Sequence, residues 1–189
     1  MKTLHLLKLT DTMKTIQLFA ALLFSSTPIL AQNPDDFTLP AVTDTSFFTF
    51  SKVKEKGKFI ALHFLLKTEC PYCMRHTNEY FENASTLPNV LQVFIKPDTE
   101  KEIEEWAGKL SANNTLKYPI YRDADAKLAK QYNVPHGYVF HGQVVHYPAL
   151  ILLNEEGKEV FRYVGKNNSD RFSFEKLTVK IQELSKTLK

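Results

Sequence analysis

Cys70 and Cys73 are the only cysteines in the chain, and Pro71 and Tyr72 stand between them. Two thiols at this spacing can close to a disulfide, and one of them as a thiolate can attack another disulfide. The apolar run Phe59 to Leu66 leads into the pair, and Met74 to Asn83 reads as a helix. A strand feeding Cys-x-x-Cys at a helix start sets the first cysteine among unpaired backbone N–H groups at the positive end of the helix, and both favour thiolate. Pro71 suits the first helical turn, where a missing N–H breaks no hydrogen bond. Cys70, at the helix end, is therefore the expected attacking thiolate. Cys73, one turn further in, is the expected resolving thiol. Tyr72 is expected to help set the potential and to offer an aromatic contact to a partner. Arg75 and His76 are candidate cations for lowering the Cys70 pKa.

Other readings of the same residues stay open. A purely structural disulfide across so short a loop constrains the unfolded chain little. Cys70, Cys73 and His76 could form three metal ligands, although the second Cys-x-x-Cys that marks zinc sites is absent. The alternative function is copper handling, with the two cysteines and a histidine from the Pro135 to His146 loop (His136, His141 or His146) in a soft site. The leading reading needs no metal and no cofactor.

At 189 residues the chain fits one domain after a leader. Hydrophobic content of 43% and charged content of 24% fit a packed globular domain and exclude disorder. A net charge of +3, with lysine and glutamate interspersed, points away from nucleic acid. Residues 1–31 read as a signal peptide. Met13-Lys14 is followed by apolar Ile16 to Phe24, too short to span a bilayer, and a cleavable stretch ends at Ala31. Either Met1 or Met13 is the start, and an uncleaved anchor is the competing reading. Cleavage lowers the net charge to +1 and leaves residues 32–189 as the domain. The expected location is periplasmic or secreted, an oxidising setting in which such a pair forms, shuffles or removes disulfides.

The elements that must position the dithiol alternate. Phe37 to Pro40 reads as an edge segment and Ser46 to Lys56 as a short helix. Phe59 to Leu66 is a strand buried on both faces. The dithiol helix follows. Val90 to Lys96 is a strand, and Thr99 with Glu102 forms a capping box for a helix bearing Ile103, Trp106 and Leu110. A short strand at Tyr118 to Tyr121 and a helix from Ala124 to Tyr132 come next. Val144 to Leu153 and Lys158 to Val164 make a hairpin around Asn154 to Gly157. Phe174, Leu177, Ile181, Leu184 and Leu188 stripe a terminal helix.

That order, the dithiol after the first core strand, and Pro148 opening the strand before a glycine-turn hairpin together resemble the thioredoxin superfamily. Asp123 to Val134 followed by Pro148 to Lys158 is similar to its peroxiredoxin-related AhpC/TSA and TlpA-like branch, which includes exported thiol-disulfide oxidoreductases. The resemblance covers about residues 37–188. It implies an α/β fold, a central mixed β-sheet flanked by helices, with an extra N-terminal segment and an inserted strand-helix unit. It implies an enzyme that exchanges protein disulfides or dithiols and draws on a membrane or soluble redox partner. It implies that Pro148 is cis and faces the dithiol, with the Tyr147 backbone offered to a bound peptide, so that Tyr147, Pro148, Pro71 and Tyr72 form the substrate contact. The chain departs from relatives in three places. Glu69 replaces an aromatic residue, and His63 stands where relatives carry a buried acid, read either as a proton relay to Cys73 or as a core histidine satisfied by backbone. Lys67 and His63 occupy the positions where a peroxidase needs threonine or serine and proline, which argues against peroxide reduction.

Overall fold

The computed structural model describes residues 36–54, 58–67, 70–110, 116–140 and 143–187. The expected leader, Glu69 and His141 lie outside the described residues. In chain order the strands are β1 (Thr38–Pro40), β2 (Phe47–Thr49), β3 (Phe59–Phe64), β4 (Val90–Lys96), β5 (Ile120–Arg122), β6 (His136–Phe140), β7 (Gln143–His146), β8 (Ala149–Leu153) and β9 (Glu159–Val164). The helices are α1 (Phe50–Lys54), α2 (Pro71–Asn83), α3 (Glu100–Leu110), α4 (Lys127–Gln131) and α5 (Phe174–Thr187).

The central sheet runs β5-β4-β3-β8-β9. β3 and β4 pair in parallel, as do β4 and β5, while β8 lies antiparallel to β3 and β9. This is the expected mixed sheet. Every residue of β3 is buried because both faces are covered. Ile60, Leu62 and Phe64 join Val93, Ile95 and Ile151 in the core under α1 and α4. On the other face Ala61 and Phe94 pack with Tyr80 and Phe81 of α2, Trp106 of α3 and Leu177 of α5. The dithiol helix thus rests on the middle of the sheet, and β3 delivers the chain to its start.

Local chemistry fixes the ends of these elements. Glu102 Oε2 accepts the Thr99 backbone N–H at 2.9 Å, and Thr99 Oγ1 accepts the Glu102 N–H at 3.3 Å, the reciprocal cap expected of α3. In the β8–β9 turn Asn154 Oδ1 accepts N–H groups from Glu156 and Lys158. Gly157 takes φ +80° there, and a Cβ on it would stand 2.5 Å from the Phe50 ring.

Four expectations are corrected. Ser46 to Lys56 is not one helix: Leu39 pairs with Phe48 to make a β1–β2 hairpin, and the helix begins only at Phe50. The helix from Ala124 splits, because Asp125 and Ala126 take φ of 58° and 52°. A 3₁₀ turn therefore precedes α4, whose Leu128 and Ala129 N–H groups donate to the Asp123 carboxylate. On either side of residues 141–142 the histidine-bearing segment is strand rather than loop, the β6–β7 hairpin, with His136 opposite His146. Finally, no described peptide bond is cis, so Tyr147–Pro148 is trans. The reason is local: Tyr147 N–H extends the hairpin by donating to Pro135 O at 2.9 Å, and the extended chain runs directly into β8.

Candidate active site

Cys70 is the N-cap of α2, with φ −82° and ψ 103°, and Pro71 opens the first turn. Its Sγ accepts the Cys73 backbone N–H at 3.3 Å. Cys73 is fully buried, Cys70 is half-buried, and both thiols are free. Cys73 Sγ accepts the Leu66 N–H at 3.3 Å. A third donor reaches both sulfurs: Arg171 Nη2 stands 3.4 Å from Cys70 Sγ and 3.2 Å from Cys73 Sγ.

These contacts split the two thiols. The Cys70 thiol is lowered to about 6, mainly by the hydrogen bond from the Cys73 thiol, with the Cys73 N–H and the Arg171 charge adding to it against burial. Burial pushes the Cys73 thiol well up, and its hydrogen bond to Cys70 adds to that. At neutral pH the pair therefore holds one thiolate on the accessible sulfur and one proton on the buried one. The arrangement is suited to attack followed by intramolecular resolution.

The expected cations act differently. Arg75 lies over the Tyr72 ring at 5.3 Å, and His76 turns into the core. Arg171, about a hundred residues downstream, was not visible from the motif. One clue in the sequence is a cation just ahead of α5, where a helix dipole favours an anion and a cation must have another reason to be present. Pro71 and Tyr72 are exposed beside Cys70. Pro148 is buried against Phe64, Leu65 and Arg171 around a small cavity. Tyr147 is engaged within the chain: its carbonyl accepts from His146 Nδ1 at 2.7 Å, and its ring covers Gly137. Its backbone is therefore not presented in the way the resemblance implied.

His63 is satisfied by side chains rather than backbone. An amide oxygen can only accept, so His63 Nε2–H donates to Gln92 Oε1 at 2.7 Å. His63 Nδ1 then accepts from His76 Nε2–H at 3.1 Å. This commits His76 to the core, so it is not a third ligand beside the cysteines. Among the described residues no group of three or more His, Cys, Asp or Glu side chains is placed to hold a metal. Burial lowers His63 to about 4 and His76 well below the usual imidazole range. The unfolded chain therefore takes up these protons first as pH falls through about 6.5. His63 stabilisation is complete above that value and is lost as pH falls to about 4, a drop of about 3 kcal/mol. Urea unfolding from pH 7 down to 4.5 should show this slope, and His63→Gln should reduce it to the part that belongs to His76. A flat wild-type profile would refute the assignment.

Cys70 opens onto a groove of about 760 Å³ between α2 and α3, with Pro71, Met74, Trp106 and Lys109 among its walls.

The sequence profile of the AhpC/TSA family matches residues 30–160. The chain belongs to this family. No curated protein sequence matches it. Among solved structures it is similar to the reduced 2-Cys peroxiredoxin of Plasmodium vivax (20% identity, TM-score 0.67, covering 84% of this chain and 97% of that one). It is also similar to AhpC of Enterococcus faecalis (18%, 0.67, 82% and 90%) and to the yeast mitochondrial 1-Cys peroxiredoxin (12%, 0.70, 84% and 76%). At these identities the likeness shows the thioredoxin-like fold. Family, fold and cysteine pair together make the AhpC/TSA-family chain a thiol-based oxidoreductase.

Proposed function

We propose that this AhpC/TSA-family protein is an exported thiol-disulfide oxidoreductase acting on protein disulfides or dithiols. The observation that carries the reading is the split pair: Cys70 as a capped, lowered thiolate beside a buried, protonated Cys73. The thiolate attacks one sulfur of a substrate disulfide and forms a mixed disulfide. Cys73 then attacks Cys70 and releases the second substrate thiol. The reverse sequence oxidises a substrate. The groove at Cys70 suits a polypeptide segment better than a peroxide. Lys67, three residues before Cys70, supports disulfide exchange over peroxide reduction, because it stands where a peroxidase places a hydroxyl. The apolar stretch before Ala31 supports export.

Equilibrating residues 32–189 with glutathione buffers tests the proposal. A reversible Cys70–Cys73 disulfide is expected, with a potential between thioredoxin's about −270 mV and the about −120 mV of strong disulfide donors. Insulin reduction should outpace peroxide consumption. Rapid peroxide turnover with no exchange activity would replace this reading by a peroxidase.

A further inference from the structure

We infer that Arg171 is the shared thiolate donor of both half-reactions, with one nitrogen, Nη2, serving Cys70 during attack and Cys73 during resolution. The inference rests on the dithiol reading above. The two contacts, 3.4 and 3.2 Å, come from the same guanidinium nitrogen, so the cation need not move when the negative charge passes from one sulfur to the other.

The scaffold around Arg171 is built to hold it there. Its Nη1 donates to Asp170 O at 3.1 Å. The Asp170 carboxylate accepts the Tyr163 hydroxyl and, at 2.9 Å, the Lys166 N–H. On the far side the segment is tied to the dithiol helix itself. Tyr80 OH donates to Phe172 O, and Glu79 Oε1 accepts the Phe174 N–H, both at 2.9 Å. Gly165 N–H donates to Pro148 O at 2.8 Å, and a Cβ at Gly165 would sit 2.4 Å from Asp170 O. Loop, sheet and α2 therefore share one rigid register, which fixes the donor before the charge develops.

Among the described residues no other cation donates to the sulfurs, and Lys96 adds only its charge at Cys73. Arg75 lies over Tyr72. Lys96 donates to Leu66 O and pairs with Asp98. His63 and His76 are neutral at working pH.

The chemistry balances. In the first step Cys70 S⁻ forms a bond to one substrate sulfur, the substrate S–S bond breaks, and the first substrate thiolate leaves. Cys73 gives up its proton, which that leaving thiolate takes up through solvent. In the second step Cys73 S⁻ forms a bond to Cys70 sulfur, the mixed disulfide breaks, and the second substrate thiolate leaves to be protonated by solvent. The substrate disulfide gains two electrons and the dithiol loses two. Arg171 lowers the energy of the anion at the start of each step.

Arg171→Met and Arg171→Lys test this with two readouts. The ultraviolet thiolate band of the reduced protein, followed against pH, reports the Cys70 midpoint. Reaction with the Ellman disulfide releases one coloured thiolate on attack and a second on resolution, so the two rates separate. In Arg171→Met the midpoint should rise by about one unit or more. Attack at pH 6 should slow about fivefold or more, and resolution at pH 7 about tenfold. Arg171→Lys should recover part of both losses. An unchanged midpoint with unchanged rates overturns the inference, as does a defect confined to one step. If Arg171→Met fails to fold, Arg171→Lys still answers, through a raised midpoint and two slowed phases. If the wild type forms no internal disulfide, the dithiol reading falls, while the Cys70 midpoint still decides whether Arg171 holds the thiolate.

Discussion

Cys70→Ser is expected to reduce disulfide exchange to the uncatalysed background, whereas Cys73→Ser is expected to leave the first attack intact and accumulate a mixed disulfide. The difference follows from where the sulfurs sit. Cys70 alone is accessible, and it alone is a thiolate at neutral pH. A serine hydroxyl at the same N-cap would accept the same backbone N–H but would stay protonated and inert. Cys73 is wholly buried in the core that also holds Leu65, Leu66 and Tyr80, and it meets only what Cys70 has already bound. Mass spectrometry after incubation with oxidised glutathione should find an adduct on Cys73→Ser and none on Cys70→Ser. A further comparison separates the roles of Cys73. The largest contribution lowering Cys70 is the Cys73 thiol hydrogen bond. Cys73→Ala, which lacks that donor, should therefore attack more slowly at pH 6 than Cys73→Ser, which keeps a hydroxyl. Equal rates would mean that the backbone donors and Arg171 suffice. An adduct on Cys70→Ser would reverse the assignment of attacking and resolving thiols.

The parts of the site that were legible in the sequence are those encoded locally. A capped helix start, Pro71 in its first turn, and an apolar strand leading in all lie within about fifteen consecutive residues, and the structure assembles them as written. The central strands were legible for the same reason, since β3 and β8 are continuous apolar runs covered on both faces. What escaped was set by long-range packing. Arg171 reaches the sulfurs across about a hundred residues, and no periodicity carries that distance. His63 looked like a solitary histidine because its partners, His76 and Gln92, come from α2 and β4. The β6–β7 hairpin was hidden because Val144 to His146 reads as the start of the run that continues to Leu153, and only pairing with β6 separates β7 from β8. The cis form expected of Pro148 came from likeness to relatives, whereas here Tyr147, bonded to Pro135 O, leads into β8 through a trans peptide.

Lys96→Met should be among the most destabilising single substitutions, by about 3–5 kcal/mol, a large part of the roughly 5–15 kcal/mol that holds a domain of this size. Lys96 and Asp98 are both wholly enclosed, with Nζ 3.2 Å from Asp98 Oδ2. The same ammonium donates to Leu66 O at 2.7 Å and lies 4.5 Å from the centre of the Trp106 ring. Methionine preserves the volume and removes the charge, leaving the Asp98 carboxylate buried without its cation. The doubly apolar Lys96→Met/Asp98→Leu variant removes both ions together and should recover much of the loss, because the desolvation penalty goes with them. Denaturant unfolding of the two singles and the double gives the coupling directly, and additive losses would mean that the pair is not a unit. Stability is only half of the expected result. Leu66 carries two duties, its carbonyl held by Lys96 and its N–H donated to Cys73 Sγ. The positive charge of Lys96 also lowers the buried Cys73 thiol. The double variant, even with its fold restored, should therefore resolve mixed disulfides more slowly than the wild type, while Cys70 attack stays close to normal. Recovery of both stability and resolution would confine Lys96 to the core. Recovery of stability alone would make this buried cation the support on which the resolving cysteine depends.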